Sequence, residues 1–135
     1  MEEIVKKITY HDNGNIYSIE HYKNNLLHGP IKFYQENGCL SAEGKYKNGH
    51  VEGDYIHYCA NGGLLSITTY KNNTKLVEVY FNENGKIESV TNYVDGLEHS
   101  KFEFEYKNKK LINVKTLTKE YLIQHKKWIQ SICRG

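Results

Sequence analysis

The sequence is poor in the residues that would mark most alternatives to a compact β protein. It has one proline, one methionine and one tryptophan among 135 residues, which leaves no material for a proline-rich extended segment or a collagen-like chain. No apolar run approaches the ~18 residues of a membrane span, and Met1–Tyr10 lacks the apolar stretch of about seven or more residues that a secretory leader carries. A cytoplasmic location is the resulting expectation. The three cysteines, Cys39, Cys59 and Cys133, are odd in number and show no metal-ligand spacing, so reduced thiols are expected rather than a disulfide framework.

The motifs of common chemistries are missing too. The seven histidines form no His-x-x-x-His pair, and no Cys-x-x-Cys occurs, so no metal site is expected. There is no Gly-x-x-x-x-Gly-Lys or Gly-x-Gly-x-x-Gly run to cradle a phosphate; the glycines fall mostly singly, at turn signals. Carboxylates are spread along the chain rather than paired, which leaves an acid/base pair of the glycosidase kind unsupported. Nothing in the local sequence supports Cys39 or Cys59 with His57 as a nucleophilic pair. The expectation is a protein with no cofactor and no catalytic residues.

What is present is tyrosine, 12 of them, and a repeat. Tyr10-His-Asp-Asn-Gly14, Tyr34-Gln-Glu-Asn-Gly38, Tyr58-Cys-Ala-Asn-Gly62 and Phe81-Asn-Glu-Asn-Gly85 follow one another at intervals of 24, 24 and 23 residues. Twelve residues after each opening aromatic stands another Tyr before a second turn signal: Tyr22-Lys-Asn-Asn25, Tyr46-Lys-Asn-Gly49, Tyr70-Lys-Asn-Asn73 and Tyr93-Val-Asp-Gly96. Each repeat therefore holds two strands and two turns, since Asn, Asp and Gly tolerate the positive φ of tight hairpin connections. Four hairpins in one continuous antiparallel sheet are predicted.

Between turns, the columns Ile16/Leu40/Leu64/Ile87, Ser18/Ala42/Ser66/Ser89 and Tyr22/Tyr46/Tyr70/Tyr93 stand two or four residues apart, which predicts that all three share one sheet face and that the tyrosines stack within it. A three-residue loop at Glu36–Gly38 sets Tyr34 opposite Leu40, and a four-residue loop at Lys47–His50 sets Val51 opposite Tyr46. Counting by twos from Val51 then leaves Tyr58 on the other face from that scheme. A bulge or bend at Gly53, and at its counterpart Gly29, is the cheapest place to reset the count, and a different second-turn length would also resolve it.

Beyond the repeats, Phe102–Tyr106 alternates as a strand, Lys107–Lys110 reads as a turn and Leu111–Lys115 as the final strand. Thr118 is placed to cap a helix over about 119–133, on which Tyr121, Leu122, His125, Trp128, Ile129 and Ile132 form one apolar stripe that must cover something. The fold class expected is mainly β: an elongated antiparallel sheet of successive hairpin repeats with one C-terminal α-helix. The whole chain, 1–135, is one domain, with repeats over about 10–106 and a terminal strand and capping helix over about 107–133.

The segment Tyr34-Gln-Glu-Asn-Gly-Cys-Leu-Ser-Ala-Glu-Gly-Lys-Tyr-Lys-Asn-Gly-His-Val-Glu-Gly53 resembles the MORN-variant repeat, with its aromatic-x-x-Asn-Gly-x-Leu opening and its later Tyr-x-x-Gly-x-x-x-Gly. Small bacterial proteins built almost wholly of such repeats resemble the YwqK-like antitoxin family, and that resemblance implies stoichiometric inhibition of a cognate toxin with no chemistry. The alternative it leaves open is a general MORN-type scaffold that tethers proteins or touches anionic lipid.

Charge is uneven. Residues 1–100 hold 9 Lys/Arg and 13 Asp/Glu (9 − 13 = −4), and 101–135 hold 9 and 3 (+6). Tyrosines outside the repeated column, set near carboxylates, make a candidate protein-binding set: Tyr17, Glu20, Glu52, Asp54, Tyr55, Glu78 and Tyr80. Aromatic anchors beside acids suit a toxin with a basic surface or cleft. Nucleic acid is not expected as a partner, because a lysine-rich tail is the usual solubilising kind.

Overall fold

The computed structural model describes residues 3–117, which form one open antiparallel sheet. Its strands are β1 (Val5–Tyr10), β2 (Ile16–Lys23), β3 (Leu26–Leu27), β4 (Gly29–Tyr34), β5 (Leu40–Lys47), β6 (His50–Val51), β7 (Gly53–Tyr58), β8 (Leu64–Lys71), β9 (Thr74–Phe81), β10 (Ile87–Val94), β11 (Leu97–Lys107) and β12 (Lys110–Leu117). They lie in the order β1-β2-β4-β5-β7-β8-β9-β10-β11-β12, with the two-residue strands β3 and β6 paired back on β2 and β5. Chain neighbours are thus sheet neighbours throughout, as the repeat predicted. The expected helix over 119–133, its Thr118 cap, the burial of Trp128, Ile129 and Ile132, and Cys133 all lie outside the described residues.

Two kinds of turn alternate. After β1, β4, β7 and β9 the glycine of Asn-Gly takes positive φ (Gly14 89°, Gly38 91°, Gly62 91°, Gly85 75°), while its asparagine does not. In the second repeat, Gly38 N–H donates to the Gln35 carbonyl at 2.9 Å and Gln35 N–H to the Cys39 carbonyl at 2.8 Å, closing the three-residue loop Glu36–Gly38. The asparagine is there for its side chain: Asn37 Oδ1 accepts the Cys39 N–H at 2.9 Å, as Asn13 does for Asn15 and Asn61 for Gly63, so it offers the backbone a local acceptor. In the second kind, both central residues have positive φ: Asn24-Asn25, Asn48-Gly49, Asn72-Asn73, Asp95-Gly96 and Asn108-Lys109. Two consecutive positive-φ residues make a two-residue loop whose twist matches the flanking strands.

Tyr34 pairs with Leu40 and Tyr46 with Val51 as predicted, but the count is reset elsewhere. Tyr58 pairs with Leu64 while its neighbour His57 pairs with Ser66, so Leu65 is an extra residue on β8. The same bulge recurs at Tyr17 on β2, Ser41 on β5 and Glu88 on β10. One extra residue turns the following column over. The Ile16/Leu40/Leu64/Ile87 column and its opening aromatics therefore lie on the opposite face from the Ser18/Ala42/Ser66/Ser89 and tyrosine columns, which corrects the single-face expectation.

Gly29 (φ 112°) and Gly53 (φ 76°) do mark breaks, yet they do not change faces. Between Tyr46↔Val51 and Glu43↔Ile56 the chain takes three steps on β5 against five on the other side, and two extra residues keep the alternation. In the third repeat a single extra residue, Leu76, replaces this break, so that interval is 23 residues rather than 24.

One face carries Tyr22, Phe33, Tyr46, Tyr55, His57, Tyr70, Glu78, Tyr80 and Tyr93; the other carries Ile19, Ile56, Ile67, Val79, Val90 and Phe102. Residues buried in the described sheet are Ser18 (1% exposed), Ile31, Ala42, Val51, Ser66, Thr68, Ser89, Thr91 and Leu117, and all are on the polar-aromatic face. Small side chains alternate there with large ones across the strands, as in Ser18–Phe33–Ala42–His57–Ser66–Tyr80–Ser89, so the large ones close over the small.

Gly44 is the tightest point of this tiling. A Cβ there would stand 2.3 Å from Cδ2 of Tyr55. We predict that Gly44→Ala destabilises the fold by about 1–3 kcal/mol in chemical denaturation, the usual cost of overpacking. In a Tyr55→Ala background the same change should cost at most about 0.5 kcal/mol, because the two sites are coupled; an undiminished cost would place the strain in the backbone instead.

Candidate protein-binding face

Five of the seven residues marked from sequence lie on the polar-aromatic face. Glu20, on β2, accepts from the Tyr22 hydroxyl and from Ser18 Oγ at 3.3 Å. Glu78, on β9, is the better held of the two carboxylates: it accepts from Thr68 Oγ1 at 3.0 Å and from Tyr93 OH at 3.3 Å, and pairs with Lys75 at 3.3 Å. The Lys75 ammonium also sits 5.5 Å from the centre of the Tyr93 ring. Tyr55 is half-buried between the Gly44 position and His57, whose ring is 5.2 Å away. Tyr80 remains 37% exposed opposite Ser66 and Ser89. Tyr17, the bulged residue of β2, is 47% exposed and meets the Phe33 ring edge-on at 6.0 Å.

The other two do not join them. Asp54 pairs with Thr69 on the aliphatic face and accepts from its hydroxyl at 2.7 Å. Glu52 stands in the step between β6 and β7, where its carboxylate accepts the Asn72 N–H at 3.1 Å and so anchors the next repeat's turn. Turn-to-turn ties of this kind recur: Gly49 N–H donates to the Leu27 carbonyl at 2.8 Å and Val51 N–H to Asn73 Oδ1 at 2.7 Å.

Residues missed by sequence reasoning complete the face: Phe33, His57 and Glu103 share a row with Tyr80. Only the cross-strand register, which depends on the bulges, brings them there. The expected internal stack of Tyr22, Tyr46, Tyr70 and Tyr93 is replaced by separate environments, because residues such as Gly29, Val51, Gly53 and Lys75 stand between them. Among the described residues the ring contacts are His11–Tyr17, Tyr17–Phe33 and Tyr55–His57.

The electrostatics follow from crowding and the two carboxylates. Burial, followed by Glu78 and Glu98, holds the Tyr93 hydroxyl well above the ordinary tyrosine range. Tyr80 is raised by burial and Glu78, Tyr55 by burial and its tyrosine neighbours, and Tyr22 by its hydrogen bond to Glu20. The Tyr22 and Tyr93 hydroxyls donate to Glu20 and Glu78, and rigid aromatic rings with hydroxyl tips suit a contact surface. Among the described residues no cluster of three or more His, Cys, Asp or Glu could hold a metal ion; Cys39 and Cys59 are free thiols.

The family model of the MORN repeat variant matches residues 6–24, 27–48, 51–72 and 76–95. Each matched stretch is centred on one Asn-Gly hairpin, and together they cover more than half the chain. No curated protein matches. Among solved structures, a GtfA/B complex bound to UDP and GlcNAc is similar at 15% identity and a TM-score of 0.36, over 96% of this chain and 27% of that one. That likeness is too weak to bear on function.

Because Tyr93 is raised in the folded protein, the unfolded chain loses this proton first. Its contribution to stability is intact below the unfolded value of about 10 and drains away as the pH climbs from there toward the folded value. Denaturation midpoints of the wild type should therefore fall more steeply above pH about 10 than those of Tyr93→Phe; parallel curves would show that burial and Glu78 do not raise the Tyr93 hydroxyl in solution.

Proposed function

The chain belongs to the family of MORN repeat variants, and we propose that it acts without catalysis as a cytoplasmic antitoxin or immunity protein, neutralising a bacterial protein toxin by one-to-one binding. The observation that supports this reading most is the polar-aromatic face. It combines exposed Tyr17, His57 and Tyr80 with half-buried Tyr55 and with the carboxylates Glu20, Glu78 and Glu103. Tyrosine anchors of this kind supply large apolar area with few rotamers to freeze, and the held carboxylates are pre-ordered acceptors for lysine and arginine. A standard interface takes roughly 20–30 residues a side, which two or three repeats provide.

The partner this face fits is a toxin with a basic cleft. Its blocked cleft, rather than any reaction, is the mode of inhibition. Charge contributes mainly to the encounter rate and the aromatics to the lifetime of the complex. A scaffold that tethers proteins, or that meets anionic lipid through the +6 segment beyond residue 100, would use the chain differently and leave its partner active.

The test is to look for a toxic protein encoded beside this chain's gene and to titrate it with the chain. Its activity should fall to zero at one molar equivalent, with a single one-to-one species in sedimentation. Tyr80→Ala should weaken the complex at least about tenfold through faster dissociation, and Glu103→Lys should slow association and flatten its salt dependence. A tight complex in which the toxin keeps its activity would sink the antitoxin reading in favour of the scaffold.

A further inference from the structure

The sheet ends at β1, which pairs with β2 on one side and has no strand on the other among the described residues. Alternate residues of β1 therefore direct their N–H and C=O groups away from the sheet, a template on which an extended chain can add. Every residue of Val5–Tyr10 except Thr9 is exposed. The strand contains neither a proline nor a bulged residue, two of the devices that close such edges; the extra residue opposite it, Tyr17, belongs to β2. What it does carry is charge, Lys6 on the aliphatic face beside Ile8 and Lys7 on the polar-aromatic one. A groove lined by Val5, Lys6, Lys7 and Ile8, with Tyr22 and the turn after β2, opens along it. Four consecutive residues of an extended strand alternate between faces, so this groove follows the backbone.

These lysines have no carboxylate to answer them. Among the described residues the ion pairs are Lys75–Glu78 and Lys101–Glu103. Glu20, the cross-strand neighbour of Lys7, is occupied by Tyr22 and Ser18. On the other face a second groove brings Lys6 together with Lys32 around Ile19, His21 and Pro30, and Glu43, opposite Lys32, forms no ion pair with it. We propose that the outer edge of β1 receives an extended, acidic segment of another protein as an added strand. Main-chain hydrogen bonds to β1 set the register. Two adjacent carboxylates, one on each side of the added strand, meet Lys6 and Lys7, and its apolar residues lie against Val5 and Ile8. A second copy of β1 suits the edge less well, because it would bring four lysines to one seam. The site stands apart from Glu78 and Tyr80 on β9 and selects the opposite sign of charge from a basic cleft.

The probe is a short fluorescent peptide of alternating valine and threonine with a central Glu-Glu pair, added to the full-length chain; a control peptide has Lys-Lys in that place. Fluorescence anisotropy should show the acidic peptide binding, with an affinity that falls as salt rises, and the Lys-Lys peptide should not bind. In amide hydrogen exchange, alternate amides of β1 should gain protection from the acidic peptide. Lys6→Gln combined with Lys7→Gln should weaken its binding about tenfold, the effect of two exposed ion pairs, while the strand signal in circular dichroism persists. Should that variant fail to fold, the two peptides on the wild type decide alone. Equal binding of both peptides, binding of neither, or protection at β9 in place of β1 would overturn the proposal. So would protection of the β1 amides that rises with the concentration of the chain alone, because it would seat a second copy on the edge.

Discussion

The structure depends on a parity constraint. In a sheet, side chains alternate, so a hairpin repeat of fixed length must decide at each turn which residues share a face. Here the decision is made by one extra residue at Tyr17, Ser41, Leu65 and Glu88, just after each Asn-Gly turn. Without it, Leu40, Leu64 and Ile87 would lie among the serines and tyrosines, and neither face would have a consistent chemistry. With it, the chain separates into an aliphatic face and a face of tyrosine, small residues and carboxylates.

That separation explains how a single layer can have buried residues at all. Serine and threonine take five of the buried positions, beside Ile31, Ala42, Val51 and Leu117, because small side chains fit beneath Phe33, Tyr55, His57 and Tyr80, and their hydroxyls find partners: Thr68 donates to Glu78 and Ser18 to Glu20. Among the described residues no buried side-chain nitrogen or oxygen lacks a partner, as a polar interior requires. Glu78 is the centre of this arrangement in the later repeats, because it orders Tyr93, Thr68 and Lys75 together. The proposed binding role rests on the same feature: rings and carboxylates fixed in place before any partner arrives cost little to immobilise.

Much of the fold was legible in the sequence, and what was not has a physical cause. Asn-Gly and Asn-Asn signal turns through side chains and φ preferences that are properties of the residues themselves, so the turn positions and the pairs Tyr34–Leu40 and Tyr46–Val51 could be placed. The bulges could not. Their positions hold Tyr, Ser, Leu and Glu, which share no side-chain property, because a bulge is a backbone state that most residues can adopt; the parity mismatch at Tyr58 was their only trace. The candidate site was legible to a similar depth. Tyr55, Glu78 and Tyr80 could be picked as unrepeated aromatics and nearby acids. The hydrogen bonds that take up Glu52 and Asp54 reach Asn72 and Thr69, and those meetings exist only once the register is set.

Side-chain proton contacts in solution test the face separation most directly. On this account the Tyr58 ring shows nuclear Overhauser contacts to the Leu64 side chain, its cross-strand partner, and to Glu43, whose charge it senses. The Tyr55 ring contacts the Gly44 α-protons. Contacts from the Tyr58 ring to Ala42 and Ser66 in their place would put the opening aromatics on the serine face, and the account of two chemically distinct faces would be wrong.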